Sequence, residues 1–278
     1  THAKIPMIHD YLVDFVRKGG WLAVCPALGA IPNYPEPFTC PQFINTRMNE
    51  FLDKGLKGLL GYASPGVLYT PYNVEAAAEW TWNQKGRSIH EFSVSYAVRQ
   101  GYPDPEKFAK WVDVLGEVEW DVYASDYPWR ASRKMVTPID RPLKEGNLPD
   151  LGTVMHGFNG FPFGGFRSEK QLRDDVALAG KAVALARELG IEQYVLESLT
   201  VQGYVRSLEA FYDLKLLTRG GRISPQNRAK ASASVRAFVD GLRQACDALP
   251  KWEQTVTWRG NTVSERRQAV AVVVQENL

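Results

Sequence analysis

The predicted fold is decided by one stretch, Gly55-Leu-Lys-Gly-Leu-Leu-Gly-Tyr-Ala-Ser-Pro-Gly-Val-Leu-Tyr-Thr-Pro-Tyr-Asn-Val-Glu-Ala-Ala-Ala-Glu-Trp-Thr-Trp-Asn83. Leu59 and Leu60, with glycines on both sides, are typical of a strand that is covered on both faces, as in a parallel sheet. Ser64-Pro65-Gly66 indicates a turn-rich loop, and Asn73 is placed to cap the helix that follows. Strand, loop and helix in this order predict a β/α unit, and in barrels of such units the chemistry lies on the loop after the strand.

The residues before this stretch extend the same alternation. Residues 4–18 carry apolar side chains at helical spacing. The apolar run Trp21 to Cys25 predicts a second buried strand, and the five prolines in residues 26–42 predict a long irregular loop. A helix is expected from Phe43 to Leu52. Residues 1–83 are therefore predicted to be the C-terminal strands and helices of a (β/α)8 barrel.

Beyond Asn83 the sequence favours helices. Ser88 with Glu91 three residues later is a capping box, and Asp104-Pro105 places a cap and a first-turn proline at the next helix start. That helix is expected to end at Gly116. Residues 84–150 are predicted to be a helical connector with an aromatic-rich irregular segment from residue 117 onwards.

A C-terminal helical bundle is predicted for residues 151–278. It rests on three long amphipathic helices joined by short loops, which pack as an up-down bundle. Their expected extents are about Ser168 to Leu189, about Glu192 to Leu217, and Ser224 to Leu249. The predicted fold class is thus α/β followed by all-α: the last β/α units of a (β/α)8 barrel plus a C-terminal helical bundle.

The bulk composition excludes several classes of partner. The chain has 278 residues, 45% of them apolar and 23% charged, which is typical of a globular protein. Its net charge of +2 gives no strong field, so no nucleic acid or anionic membrane is expected as a partner. There is no run of 18 or more apolar residues. Three cysteines without metal-ligand spacing argue against a disulfide framework.

The aromatic content allows two interpretations. Eight Trp and twelve Tyr residues fit either a large aromatic core or a surface on which sugar rings stack.

Catalytic motifs are scarce. The sequence has no phosphate-binding glycine loop, no dinucleotide fingerprint and no nucleophile elbow, and its four histidines lie far apart. No metal and no cofactor are therefore predicted. Glu75 and Glu79 share a helix face, but a solvated helix face is favoured over a glycosidase acid pair, because catalytic acids in barrels lie at strand ends.

The run Gly58-Leu-Leu-Gly-Tyr-Ala-Ser-Pro, followed by Tyr72-Asn-Val-Glu-Ala-Ala-Ala-Glu-Trp-Thr-Trp-Asn83, resembles the end of the catalytic barrel in the β-N-acetylhexosaminidase, O-GlcNAcase and α-glucuronidase group of glycoside hydrolases. The stretch Gly86 to Trp111 is similar to the helical segment that follows in those enzymes. The resemblance implies that Trp21–Cys25 and Lys57–Gly61 are the seventh and eighth barrel strands. It also implies that the acid/base carboxylates lie outside this chain, upstream of Thr1.

The leading hypothesis follows from this resemblance. A whole barrel needs at least about 200 residues, so the chain, which begins at Thr1, is expected to be the C-terminal part of a larger glycosidase acting on an N-acetylated or uronic sugar. It would supply an aromatic subsite wall and a helical domain, and the isolated chain would be inactive. The candidate substrate-binding residues are Tyr62, Tyr69, Tyr72, Asn73, Asn33 and Tyr34.

Two alternatives stay open. The chain could be a non-catalytic helical sugar-binding or protein-interaction module, or a complete enzyme whose acids converge from Glu36, Asp53 and Glu79. Residues 1–83 would leave a strand edge and a barrel face in water, which is costly. They are therefore expected to be covered by the N-terminal part of the same protein, by a second copy, or by refolding onto the bundle.

Overall fold

The computed structural model describes residues 2–29, 36–61, 70–125, 127–128, 145–146, 148–153, 162–219 and 222–256. Within these ranges the chain is predominantly helical. The elements in chain order are α1 (Asp10–Arg17), β1 (Ala23–Val24), α2 (Pro41–Asp53), β2 (Gly58–Leu59), α3 (Pro71–Trp82), α4 (Ile89–Gln100), α5 (Pro105–Ala124), α6 (Glu169–Leu189), α7 (Glu192–Leu217), β3 (Thr218–Arg219), β4 (Arg222–Ile223), a 3-10 turn (Pro225–Asn227) and α8 (Arg228–Thr255).

The predicted barrel end is wrong. The described residues form a predominantly all-α protein with no sign of a barrel. Strands β1 and β2 pair in parallel, with Ala23 opposite Gly58, but each is two residues long and they form a sheet of two. The helices around them, α2 and α3, pack on each other, and α2 also packs on α5. Short apolar runs predicted the strands but carried no information on how many strands would pair.

Helix α5 is longer than predicted and is the centre of the molecule. The sequence predicts an end at Gly116, but the helix continues to Ala124. A Cβ on Gly116 would lie 2.0 Å from Oε1 of Gln42, so this glycine allows α2 to approach α5 closely. The Gln42 side chain then donates to the Val112 carbonyl at 3.1 Å. Glycine here serves packing between helices and does not end the helix.

The predicted helix starts at α4 and α5 are confirmed. The Ser88 hydroxyl accepts from the Glu91 amide at 3.2 Å, and the Glu91 carboxylate accepts from the Ser88 amide at 2.8 Å. Asp104 caps α5 by accepting from the Lys107 amide at 2.9 Å. These bonds satisfy backbone donors that have no partner within a helix.

The three long C-terminal helices are present as α6, α7 and α8, but the third begins at Arg228, after a 3-10 turn, and continues past the predicted end at Leu249 to Thr255. Gly190, in the left-handed conformation with φ of 75°, separates α6 from α7. Helices α7 and α8 cross closely at Gly203 and Gly241: a Cβ on Gly203 would lie 2.6 Å from the Gly241 carbonyl oxygen. No described helix is both long enough and apolar enough to span a bilayer.

One continuous core runs from α2 to α8, with α5 at its centre. Large aromatic side chains fill it, including the fully buried Trp80 and Trp111. The indole of Trp111 donates to the Ser198 hydroxyl at 2.8 Å, and the hydroxyls of Tyr102 and Tyr194 are 2.6 Å apart. For these residues the aromatic-core interpretation of the composition is confirmed.

Candidate functional site

The structure places Tyr72, a predicted sugar-stacking residue, in the core. It is buried among Phe92, Tyr96 and Phe108, with ring centroids 4.8 to 5.9 Å away. Its hydroxyl lies 2.6 Å from the Ser93 hydroxyl. Burial raises the pKa of the phenol well above its usual value. These contacts direct the ring of Tyr72 towards α4 and α5, and with 3% of the residue exposed it has no face open to a sugar.

Asn73 is likewise buried, and it is not the predicted helix cap. Helix α3 is preceded by Thr70 at the cap position, and Asn73 lies in the first turn. Its side-chain oxygen accepts from the Cys40 amide at 3.1 Å, and its nitrogen donates to the carbonyls of Leu28 and Phe38 at 2.8 and 2.6 Å. Asn73 therefore joins two parts of the β1–α2 connection to α3 from inside the protein, through its oxygen and both of its N–H groups.

The other predicted sugar-binding residues, Asn33, Tyr34, Tyr62 and Tyr69, lie outside the described residues. The tryptophans of the quoted stretch do fall within them. Trp80 is fully buried, and its indole donates to the Arg87 carbonyl at 3.0 Å, whereas Trp82 is 93% exposed. One tryptophan of the pair thus anchors α3, and the other faces solvent.

The acids considered as a catalytic set do not converge. Glu79 makes two bonds to the guanidinium of Arg87, at 2.9 and 2.7 Å. Asp53 accepts from the Gln84 side chain at 2.7 Å. Glu36 is buried and accepts from the Tyr123 hydroxyl at 3.1 Å, in a different part of the molecule. Because each acid has its own partner, the hypothesis of a complete enzyme built on Glu36, Asp53 and Glu79 is not supported by their placement.

Buried carboxyl groups that the sequence analysis missed lie on α5. Glu119 faces Glu197 of α7, and their exposed fractions are 0% and 1%. Burial and then the charge of Glu197 raise the pKa of Glu119 well above its usual value, and burial raises the pKa of Glu197 to about 7. We call these two residues the acid pair. A signal existed in the sequence: Glu119 has Leu115, Val122 and Tyr123 at helical spacing, which places it on an apolar face of the helix.

A second pair of acids lies on the other side of α5. Asp121 and Asp175 of α6 are both buried, and Asp121 is held by the Lys4 ammonium at 2.6 Å and the Gln171 amide at 2.6 Å. Burial followed by the charge of Asp121 raises the pKa of Asp175 to about 8. Among the described residues no group of three His, Cys, Asp or Glu side chains is arranged to hold a metal ion.

The β1–β2 sheet has two different faces. The face carrying Leu22, Val24 and Leu59 packs on the core. On the opposite face, the Trp21 ring lies over the backbone of Gly58, where a Cβ would meet it at 2.8 Å. Leu60 follows β2 directly, and its amide donates to the Val24 carbonyl at 2.9 Å, so strand alternation places its side chain on the same face as Gly58.

This second face is largely open to solvent. Trp21 is 65% exposed and Leu60 is 71% exposed. We call Trp21, Ala23, Gly58 and Leu60 the open sheet face. Next to it, Phe15 of α1 covers Gly20 and is itself half exposed, so the apolar surface continues beyond the sheet. The predicted covering of both strand faces is wrong for this face, because Trp21 and Leu60 are mostly exposed.

Comparison with known proteins adds no family to this description. No protein-family model, curated protein or solved structure matches the chain. The two features available for a functional argument are therefore the open sheet face on the surface and the acid pairs in the interior. The first is accessible to a partner and the second is not.

Proposed function

We propose that this chain is a non-catalytic part of a glycoside hydrolase, and that it binds the catalytic part through the open sheet face. The observation that carries this proposal is the exposure of Trp21 and Leu60 on a parallel strand pair whose other face is packed. In this proposal the chain supplies helical support, and the catalytic carboxylates belong to the partner.

The physical argument starts from the behaviour of parallel sheets. Parallel strands occur almost exclusively where both sheet faces are covered, and a sheet of two strands is marginal in water. Here a tryptophan and a leucine remain exposed on the uncovered face. A partner that presents apolar side chains, or a further strand, would bury them and complete the sheet.

The carbohydrate part of the proposal rests on the resemblance of Gly58–Asn83 and Gly86–Trp111 to the β-N-acetylhexosaminidase, O-GlcNAcase and α-glucuronidase group. The carboxyl groups of this chain fit a supporting role. Glycosidases need two accessible acids on either side of the sugar, whereas Glu119 and Glu197 are buried and Glu79 is bound to Arg87. We therefore expect an N-acetylated or uronic sugar to be bound and cleaved mainly by the partner.

The test uses the chain as its natural source makes it. The chain is isolated without denaturation, companion polypeptides are identified by peptide mapping, and the material is assayed on p-nitrophenyl β-N-acetylglucosaminide and p-nitrophenyl glucuronide. We expect a companion polypeptide and hydrolysis in the isolated complex, and no hydrolysis by the purified 278-residue chain. Hydrolysis by the purified chain alone, or a monomer without companion or activity, would overturn the proposal.

A matched pair of variants tests the surface. Leu60→Ser removes an apolar group from the open sheet face, and Leu216→Ser removes one from α7, where the leucine is 49% exposed. We expect Leu60→Ser to lose most of the companion in size-exclusion chromatography, because apolar contacts at the centre of an interface carry most of the binding energy. Leu216→Ser is expected to keep it, and equal loss in both variants would contradict this role of the sheet face.

A second candidate function is a protein-interaction module without a sugar substrate. The same open sheet face supports it, and it does not need the resemblance to glycosidases. It predicts the companion and the effect of Leu60→Ser, but no hydrolysis by the complex. The activity assay thus separates the two candidates.

A further inference from the structure

A third surface lies at the end of the bundle where α7 leads through the β3–β4 hairpin into α8. Of the 33 Lys and Arg residues of the chain, six lie between Asp213 and Asp240, and none of the 31 Asp and Glu residues does. The net charge of +2 is therefore an average over a strongly positive segment and a remainder that is net negative. The expectation that no anionic membrane binds was drawn from this average, which does not describe a surface with a charge of its own.

Four of these cations are exposed. Arg222 lies on β4, and Arg228, Lys230 and Arg236 lie in the first half of α8. None of the four forms an ion pair with a residue that the structure describes. We call these four residues, together with Ile223 and Val235, the basic end.

The surface of α6 shows the opposite arrangement. There the Arg173 guanidinium lies 2.8 Å from the Glu209 carboxylate and also pairs with Glu169 and Asp213. At the basic end the charged neighbours along the chain are again positive, and α8 has no acid in its first turn, although a helix N-terminus favours anions and disfavours cations. The fold thus holds cations that repel each other on one surface, and an anionic partner would remove this repulsion.

Aliphatic side chains stand among these cations. Ile223 is the neighbour of Arg222 on β4, and Val235 follows Arg228 by seven residues, which places both on one side of α8. Ile223 and Val235 are exposed.

The apolar residues indicate which kind of anion fits. The described large apolar residues that are exposed between Asp213 and Asp240 are all aliphatic, whereas the exposed aromatic residues of the described ranges lie in the first third of the chain. Proteins bind single-stranded nucleic acid with cations and stacking aromatic side chains. Cations with interspersed apolar side chains are instead typical of surfaces that bind anionic lipid.

We propose that the basic end binds the surface of an anionic lipid bilayer, with its cations at the lipid phosphate groups and the side chains of Ile223 and Val235 between the headgroups. The outer side of α8 makes this contact, because its inner side packs closely on α7 at Gly203 and Gly241. The binding does not depend on the proposed function, since the open sheet face lies on β1 and β2, at a different place in the chain.

Sedimentation with vesicles tests the proposal. The 278-residue chain is mixed with vesicles of phosphatidylcholine alone, or of phosphatidylcholine with about one third phosphatidylserine. We expect the chain to sediment with the anionic vesicles only at about 0.1 M salt, and to be released at about 0.5 M salt, because exposed charges are then screened. No binding to the anionic vesicles, or equal binding to both kinds, would overturn the proposal.

Matched double variants locate the binding surface. Arg228→Gln with Arg236→Gln removes two cations from the basic end, and Lys181→Gln with Arg187→Gln removes two exposed cations from α6. Each basic residue near an anionic surface strengthens binding about fivefold, so we expect the first double variant to bind about 25-fold more weakly than the wild type. The α6 double variant has the same net charge and should bind as the wild type does. Equal weakening in both would contradict a specific role of the basic end.

A single aliphatic variant separates a bilayer from other polyanions. Val235→Ser removes an exposed apolar side chain without a change of charge, and we expect it to weaken vesicle binding severalfold while the effect of salt stays the same. The same variant and the wild type are titrated with a single-stranded oligonucleotide. Unchanged vesicle binding by Val235→Ser would overturn the proposal. Half-maximal oligonucleotide binding by the wild type at a lower phosphate concentration than the vesicles require would also overturn it, and would assign the basic end to nucleic acid.

Discussion

The interior around α5 and the open sheet face use the same residue types in opposite ways. Around α5, tryptophan is fully buried, and so are carboxyl groups. Each of these buried acids either faces another acid or forms an ion pair with Lys4. At the β1–β2 sheet, tryptophan and leucine lie in solvent while the charged residues of α1 beside them make ordinary surface ion pairs such as Arg17–Asp14. Residue type therefore does not decide burial in this molecule. The number of helices and strands that pack on a position does.

The largest expected effect distinguishes two tryptophan variants, one in the interior and one on the open sheet face. Trp111→Ala removes a fully buried side chain and leaves the Ser198 hydroxyl without the indole donor. We expect it to lower the free energy of unfolding by about 4 kcal/mol. Trp21→Ala removes a side chain that covers Gly58 but is 65% exposed, and it should cost about 1 kcal/mol.

Urea unfolding at pH 6 measures both tryptophan variants. Equal losses of unfolding free energy in the two variants would contradict the difference between interior and sheet face. They would mean that Trp21 is as buried in the folded chain as Trp111.

A smaller effect is expected from two asparagines at opposite ends of α3, the buried Asn73 and the exposed Asn83. Asn73→Ala leaves the Cys40 amide and the carbonyls of Leu28 and Phe38 without their partner inside the core. Buried groups that lose a partner cost 1 to 3 kcal/mol each, and partial relaxation limits the sum to about 3 kcal/mol. The exposed Asn83, at the other end of α3, provides the control: Asn83→Ala should change the free energy of unfolding by roughly 0.5 kcal/mol or less.

This result would also decide the role of Asn73. Sugar binding predicts an amide that is open to solvent and dispensable for folding. A thermal or urea transition of Asn73→Ala that matches the wild type would contradict the structural role and reopen the sugar-binding interpretation.

The sequence predicted the local features of this fold well and its long-range features poorly. The caps at Ser88 and Asp104 were predictable because a cap is a contact between residues three apart. The barrel was not, since a two-residue strand looks the same in a sheet of two or of eight. Gly116 was misinterpreted as a stop because its real reason, the approach of Gln42, is 74 residues away in the chain and leaves no local mark.

The candidate site shows the same division. Tyr72 and Asn73 were singled out by residue type, and only their packing against α4 and the loops shows that they are internal. Glu119 could have been found, because its neighbours at helical spacing, Leu115, Val122 and Tyr123, are all apolar or aromatic and indicate a buried helix face. Its partner Glu197 could not, since nothing in either helix specifies which acid on α7 faces α5.

The smallest expected effect lies at the border between interior and surface, at His90. Its ring nitrogens are 2.6 Å from Asp113 and 3.1 Å from Glu106, which joins α4 to α5 on a half-exposed surface. The hydrogen bonds to Asp113 and then Glu106 raise the pKa of His90 above 6.5. A raised histidine pKa gives a stabilisation that is fully present below pH 6.5 and is lost as the pH rises through the folded-state value.

His90→Gln should therefore lower the melting temperature slightly at pH 5.5 and not at pH 9. A salt concentration of about 0.5 M should reduce the difference at pH 5.5, because exposed ion pairs are screened. A larger loss at pH 9 than at pH 5.5 would show that the ring packs as an interior group, and would move the boundary between the two regions outwards past α4.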